Sequence, residues 1–176
     1  EGSFSVWAAL DGTPGDEEDA IIFSAGSRQP DYIVLAIREG KLVFYRTQRK
    51  DGTEVAYTAW VKVDVDLVDW QPEEWHHIVT TWRRNEDGHS EVEIFVDGER
   101  VIRRNDLDMK PFIQPMRLAL GWDSSNASRP RFPGRLDELR VFRSPLNEAQ
   151  VHALFQNPHL RPPSAMLQFD FQDIEP

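Results

Sequence analysis

From Ser3 to Phe142 the chain is written almost entirely in period two. Runs such as SFSVWAAL, AIIFSAG, YIVLAIR, KLVFYRTQ and EVAYTAWVKVDVDL are followed by EWHHIVTTWRR, SEVEIFVDGERVIRR, MRLALGW and GRLDELRVFR. They are rich in β-branched and aromatic residues and are punctuated by Asp11-Gly12, Gly26-Ser27, Glu39-Gly40 and Asp51-Gly52. Alternation sends successive side chains to opposite faces of a strand, and turns this close leave no room for crossover helices. The pattern predicts an all-β fold, an antiparallel β-sandwich of two sheets. In SEVEIFVDGERVI it places Val92, Ile94 and Val96 on one face and Glu91, Glu93 and Phe95 on the other, with Asp97-Gly98 as a two-residue hairpin turn. One face is expected to be packed and the other largely polar. The single helical signal is SPLNEAQVHALFQNP, where Leu146, Val151, Leu154 and Phe155 recur at roughly helical spacing. Asn147 or Ser144 can cap it, Glu148 suits its first turn and Pro158 stops it, so a short helix is predicted over 146–155.

Composition narrows the function classes. The 176 residues suit one domain, read as spanning 1–176, with a linker-like stretch at 158–164 and one further strand at 165–171. The net charge of -10 argues against nucleic acid, since neutralising phosphates needs clustered Lys and Arg, and equally against an anionic membrane surface. No apolar run is long enough for membrane insertion. The absence of cysteine excludes a thiolate nucleophile, a Cys-ligated zinc and a disulfide framework. The abrupt opening EGSFSVW reads as a module with neighbouring domains in a larger chain.

The histidine pair in EEWHHIVTTW invites a metal reading, but adjacent strand residues point to opposite sides of the sheet and cannot grip one ion from one face. The pattern instead places one histidine in a packed face, hydrogen-bonded there, and leaves the other partly exposed.

Four segments together carry a resemblance. FSVWAAL, EWHHIVTTW, VEIFVDGERV and LGWD with FPGRLDELRVFRSPLNEAQV, in that order, resemble the concanavalin A-like jelly-roll superfamily in its laminin-G-like and pentraxin-like branch, over residues 3–157. The resemblance implies a two-sheet jelly roll with one short helix near the C-terminus, with Trp7, Trp75 and Trp82 at core positions. It implies an extracellular or cell-surface setting. It also implies calcium as a structural cofactor. Pentraxin-like relatives bind calcium in the loop after the LG strand, which here offers Asp123, Ser124 and Asn126 but only one carboxylate. Laminin-G-like relatives bring an acid of the closing strand near an acid of a terminal strand, which here would pair Asp137 with Asp170.

Three function classes follow. The first is a non-catalytic recognition or adhesion module whose partner is a glycan or a cell-surface protein. Its ligand contacts are expected in WDSSNASRPRF, the longest stretch without regular patterning: Trp122 as a stacking platform, with Asp123, Asn126, Arg129 and Arg131 as polar contacts. Trp60, Trp70, Tyr32 and Tyr57 are further aromatic candidates, and Asn126-Ala127-Ser128 is a glycosylation sequon. The second class is a structural or protein–protein module that binds no sugar. The third is a glycoside hydrolase with atypical acids. For it, EVEIFVDGE offers Glu91, Glu93, Asp97 and Glu99 but departs from the family's E-x-D-x-x-E pattern, and alternation in LDEL sets Asp137 and Glu138 on opposite faces. The chain is therefore read as not an enzyme.

Overall fold

A computed structural model of the chain describes residues 1–12, 20–26, 32–49, 58–67, 70–109, 118–124 and 131–169. The period-two runs become strands in two antiparallel sheets. The first sheet has the order β11-β10-β1-β6-β7-β8, built from β1 (Gly2–Leu10), β6 (His76–Arg84), β7 (Ser90–Val96), β8 (Glu99–Leu107), β10 (Gly134–Phe142) and β11 (Ala165–Phe169). The second has the order β5-β4-β3-β2-β9, from β2 (Ala20–Gly26), β3 (Tyr32–Arg38), β4 (Lys41–Arg49), β5 (Thr58–Asp66) and β9 (Leu118–Leu120). One helix, α1 (Glu148–Gln156), completes the set. The chain divides into two compact units, one around each sheet: Glu1–Ala9 with Glu74–Leu107 and Arg135–Pro176, and Leu10–Glu73 with Asp108–Gly134. Among the described residues no helix is long and apolar enough to cross a membrane.

Two-residue turns set the hairpin registers. Glu39-Gly40 and Asp97-Gly98 both take positive φ at each position (51° and 72°, 52° and 84°), the backbone that matches the twist of paired strands. They place Arg38 opposite Lys41 and Val96 opposite Glu99. Gly98 is needed for a second reason, because a Cβ there would lie 2.9 Å from Phe155 Cδ1.

In the first unit, α1 is docked by its apolar side. Leu146, Val151 and Leu154 join Val79, Phe95 and Phe142 in one buried cluster, and the Leu146–Val151 pair straddles the helix start as a hydrophobic staple. Asn147 caps the helix: its side chain accepts from the Gln150 amide at 2.9 Å, and Gln150 Oε1 accepts from the Asn147 amide at 2.9 Å. Ser3 clamps the entry to β1, with Oγ accepting from the Leu146 amide at 2.8 Å and donating to the Ser144 carbonyl at 2.9 Å. The last strand of that sheet, β11, pairs antiparallel with β10, Leu139 opposite Phe169.

The expectation of one packed and one polar face on β7 needs correcting. Glu91 and Glu93 are buried, like Val92 and Ile94. Arginines from β6 and β8 fold over them: Arg83 and Arg103 pair with Glu91, while Arg100 pairs with Glu93 at 2.9 Å and also reaches Glu148 of α1 at 2.9 Å. The arginine stems cover the carboxylates while their charge cancels, so a polar pattern yields a buried face.

In the second unit, Ile21, Tyr32, Val34, Ala36, Val43 and Tyr45 form a cluster on one sheet face. Tyr32 and Tyr45 meet edge to face at 6.2 Å.

Candidate functional site

Trp122 follows β9 closely. Gly121 takes φ 71°, donates its amide to the Ile22 carbonyl at 2.9 Å and accepts from Phe132 at 2.7 Å, so the chain turns sharply at the sheet edge. Ser24 on β2 then fastens the loop base: its Oγ donates to the Trp122 carbonyl at 2.9 Å and accepts from the Ser124 amide at 2.8 Å. Ser124 Oγ in turn donates to the Gly26 carbonyl at 2.9 Å. With its backbone held from both sides, the Trp122 side chain is left 42% exposed. Asp123, expected as a ligand contact, is buried and accepts a hydrogen bond from the Tyr32 hydroxyl, so its carboxylate anchors the loop. Tyr32 is accordingly part of the scaffold, and Trp70 is buried. Arg131 is exposed. Asn126, Arg129, Tyr57 and the sequon lie outside the described residues, as does the Trp60 side chain.

Asp137 lies on β10, in a different arrangement from the one alternation predicts. Glu138 has φ 50°, a left-handed backbone in mid-strand, and its amide donates to Asp137 Oδ1 at 2.7 Å. That reversal breaks the pleat, so Asp137 and Glu138, expected on opposite faces, line one cavity of about 220 Å³ together with Trp7, Trp75, Pro158 and His159. Trp75, expected in the core, is 37% exposed at its rim, because β6 starts only at His76. The Arg135 guanidinium sits over its ring, 5.4 Å from the centroid. Beneath Glu138 is Arg140, with no exposed surface. Its Nη2 donates to Glu138 Oε2 at 2.6 Å and to the Pro158 carbonyl, while His159 Nδ1 lies 2.8 Å from Glu138 Oε1. Asp170 lies outside the described residues. Among the described residues no group of three or more His, Asp or Glu side chains is gathered that could hold a metal ion.

The histidines separate as the strand period requires. His77 is buried, 2.9 Å from Ser5 Oγ through Nε2, and its ring packs beside those of Trp7 and Phe155, with centroids at 5.2 and 6.1 Å. Burial, reinforced by the nearby Arg140 charge, pushes its pKa down to about 4, which keeps it neutral. The Ser5–His77 pair is sealed from solvent and serves packing. His76 is not partly exposed but buried, with Nδ1 2.7 Å from Asp97 Oδ2, and the His77 amide donates to Asp97 Oδ1 at 2.8 Å. Burial alone would raise the Asp97 carboxyl, but these hydrogen bonds outweigh it and hold the group below the usual aspartate range. Of the acids considered for hydrolysis, Asp97 thus ties the hairpin to β6, and Glu91 and Glu93 are held by arginines.

Two antiparallel sheets with one helix docked on β6, β7 and β10, and an aromatic-headed loop beside β2, define a lectin-like jelly roll. The chain belongs to the concanavalin A-like lectin/glucanase superfamily, which matches it over residues 1–152. No curated protein sequence matches it. Among solved structures it is similar to the receptor-binding domain of botulinum neurotoxin D, at 14% identity and a TM-score of 0.65, covering 91% of this chain and 38% of that one. The botulinum neurotoxin type G receptor-binding domain is similar at 12% identity and a TM-score of 0.60, over 88% and 37% of the two chains. A serotype D ligand-binding domain in complex with N-acetylneuraminic acid is similar at 13% identity and a TM-score of 0.61, over 88% and 36%. The chain thus spans under two fifths of these structures, and at such identities the likeness is one of fold.

Proposed function

We propose that the chain is a non-catalytic recognition module of an extracellular, multidomain protein and that its ligand is a glycan. The observation that carries the reading is Trp122, an indole held out at 42% exposure on a loop whose base is fastened by Ser24, Asp123 and Ser124. Burying such a ring would contribute about 2 kcal/mol, and the fold leaves that gain for a ligand. A rigid aromatic stacks on the C–H face of a sugar with little loss of side-chain entropy. The similar solved structures support this direction, since they are described as receptor-binding domains and one contains N-acetylneuraminic acid. Of the acids considered for a glycosidase, Glu91 and Glu93 are held by arginines and Asp97 is tied into its turn.

A protein partner is the second reading, favoured by Met166, Leu167 and Phe169, which are exposed on the terminal strand of the first sheet. A glycan array on the purified chain separates the two, run with excess calcium and again with chelator. Specific hits that Trp122→Ala weakens about tenfold or more, with an unchanged melting temperature, are expected from a stacking contact worth about 1.4 kcal/mol or more. A blank array from folded protein would overturn the glycan reading. Hits lost on chelation would bring calcium into recognition, and the Asp137→Ala variant then tests its ligand.

A further inference from the structure

We propose that Met166 is an oxidation site of this module: a peroxide converts its thioether to the sulfoxide, and Arg143 decides which of the two sulfoxide epimers forms. The site depends on neither the glycan nor the protein-partner reading.

The geometry begins with the register of the last strand. Val141 of β10 pairs with Leu167 and Phe142 with Ala165, so Met166 has no counterpart on β10. An extra residue in one strand makes a bulge, and a bulge re-aims its side chain. Met166 is accordingly 46% exposed, on a strand that also exposes Leu167 and Phe169. Met109 is 5% exposed, and Met116, the third methionine, lies outside the described residues. Oxidation requires contact between the oxidant and sulfur, so susceptibility follows exposure and Met166 reacts well before Met109.

Arg143 gives the sulfur two unequal sides. It follows β10 directly, and its Nε donates to Met166 Sδ at 3.1 Å. A thioether sulfur is a weak acceptor with two lone pairs, one on either side of its C–S–C plane. The guanidinium covers one side and draws electron density from that pair, which leaves the opposite pair as the nucleophile. With hydrogen peroxide as oxidant, that pair attacks one peroxide oxygen. An S–O bond forms as the O–O bond breaks, and the departing hydroxide takes the proton of the transferred oxygen and leaves as water. Sulfur loses two electrons and the peroxide gains them. One configuration at sulfur therefore predominates. The product sets a polar, chiral group among the exposed apolar residues of β11.

The test is a time course of the full chain with hydrogen peroxide, read by peptide mass spectrometry. Digested samples are then treated with the two methionine sulfoxide reductases, each specific for one epimer. Expected is sulfoxide at Met166 at least about tenfold faster than at Met109, with one epimer in about fivefold excess, the discrimination that one hydrogen bond of ordinary strength supplies. Arg143→Ala should bring the two epimers close to parity. Arg143→Leu, which retains an apolar stem and lacks the donor, should do the same if alanine loosens β11, and a melting curve of each variant reports folding. Met109 keeping pace with Met166 would overturn the site. Equal epimers in the unaltered chain, or an excess that persists in both folded variants, would overturn the part assigned to Arg143.

Discussion

Single residues carry most of the unusual energetics. His77 is neutral in the fold, with a pKa near 4, and titrates near its ordinary value of 6.5 once unfolded. The unfolded chain therefore binds the proton first as pH falls, so the native state loses stability between pH 6.5 and about 4, by up to about 3 kcal/mol. Denaturant titrations at pH 7, 6, 5 and 4 should show that slope, and His77→Gln should flatten it. Asp97, whose carboxyl is depressed, contributes stability that disappears only below that window. Arg140 sits with no exposed surface against Glu138. Replacing it with alanine strands a buried carboxylate and should cost about 3–5 kcal/mol, whereas Arg140→Met with Glu138→Gln should recover part of that loss. Equal melting temperatures for Arg140→Ala and the double variant would contradict this account.

At the scale of elements, turns and caps hold the first unit together. In Gly98→Ala the new methyl meets Phe155 at 2.9 Å and must also adopt a φ of 84°. About 1–3 kcal/mol should be lost, read as a lower urea midpoint, because both the I′ turn and the helix contact are strained. Asn147→Ala removes one half of a reciprocal cap and should cost about 1 kcal/mol. These elements were legible beforehand. The helix predicted at 146–155 occupies Glu148–Gln156 with Asn147 as its cap, and both hairpins turn at the Asp-Gly and Glu-Gly pairs. Such features are local: a cap or an I′ turn needs only a few adjacent residues of the right type.

On the scale of the whole molecule, charge governs encounter. A net charge of -10 repels anionic ligands over about a Debye length. Sialylated or sulfated glycans should therefore bind more weakly than their neutral parents in about 20 mM salt, and the gap should narrow towards about 0.5 M. A gap that widens with salt would show that a local basic patch, not the global field, sets selectivity. The Arg83, Arg100 and Arg103 group is no such patch, because Glu91, Glu93 and Glu148 neutralise it.

The sequence by itself determined the class of this protein. Period two, turn pairs and four ordered motifs specify two antiparallel sheets with one helix, because strand alternation and turn chemistry act over a few residues. It also separated His76 from His77, which one pleat decides. Tertiary structure decided the rest. Alternation called Glu91 and Glu93 a polar face, yet arginines arriving from β6 and β8 bury them. It set Asp137 and Glu138 apart, yet one left-handed residue, stabilised by Arg140 and His159, brings them to one cavity. It placed Asp123 among ligand contacts, yet Tyr32, 91 residues away in the chain, takes its carboxylate into the scaffold. Each of these outcomes depends on partners distant in sequence, and a pattern with a period of two residues holds no information about them.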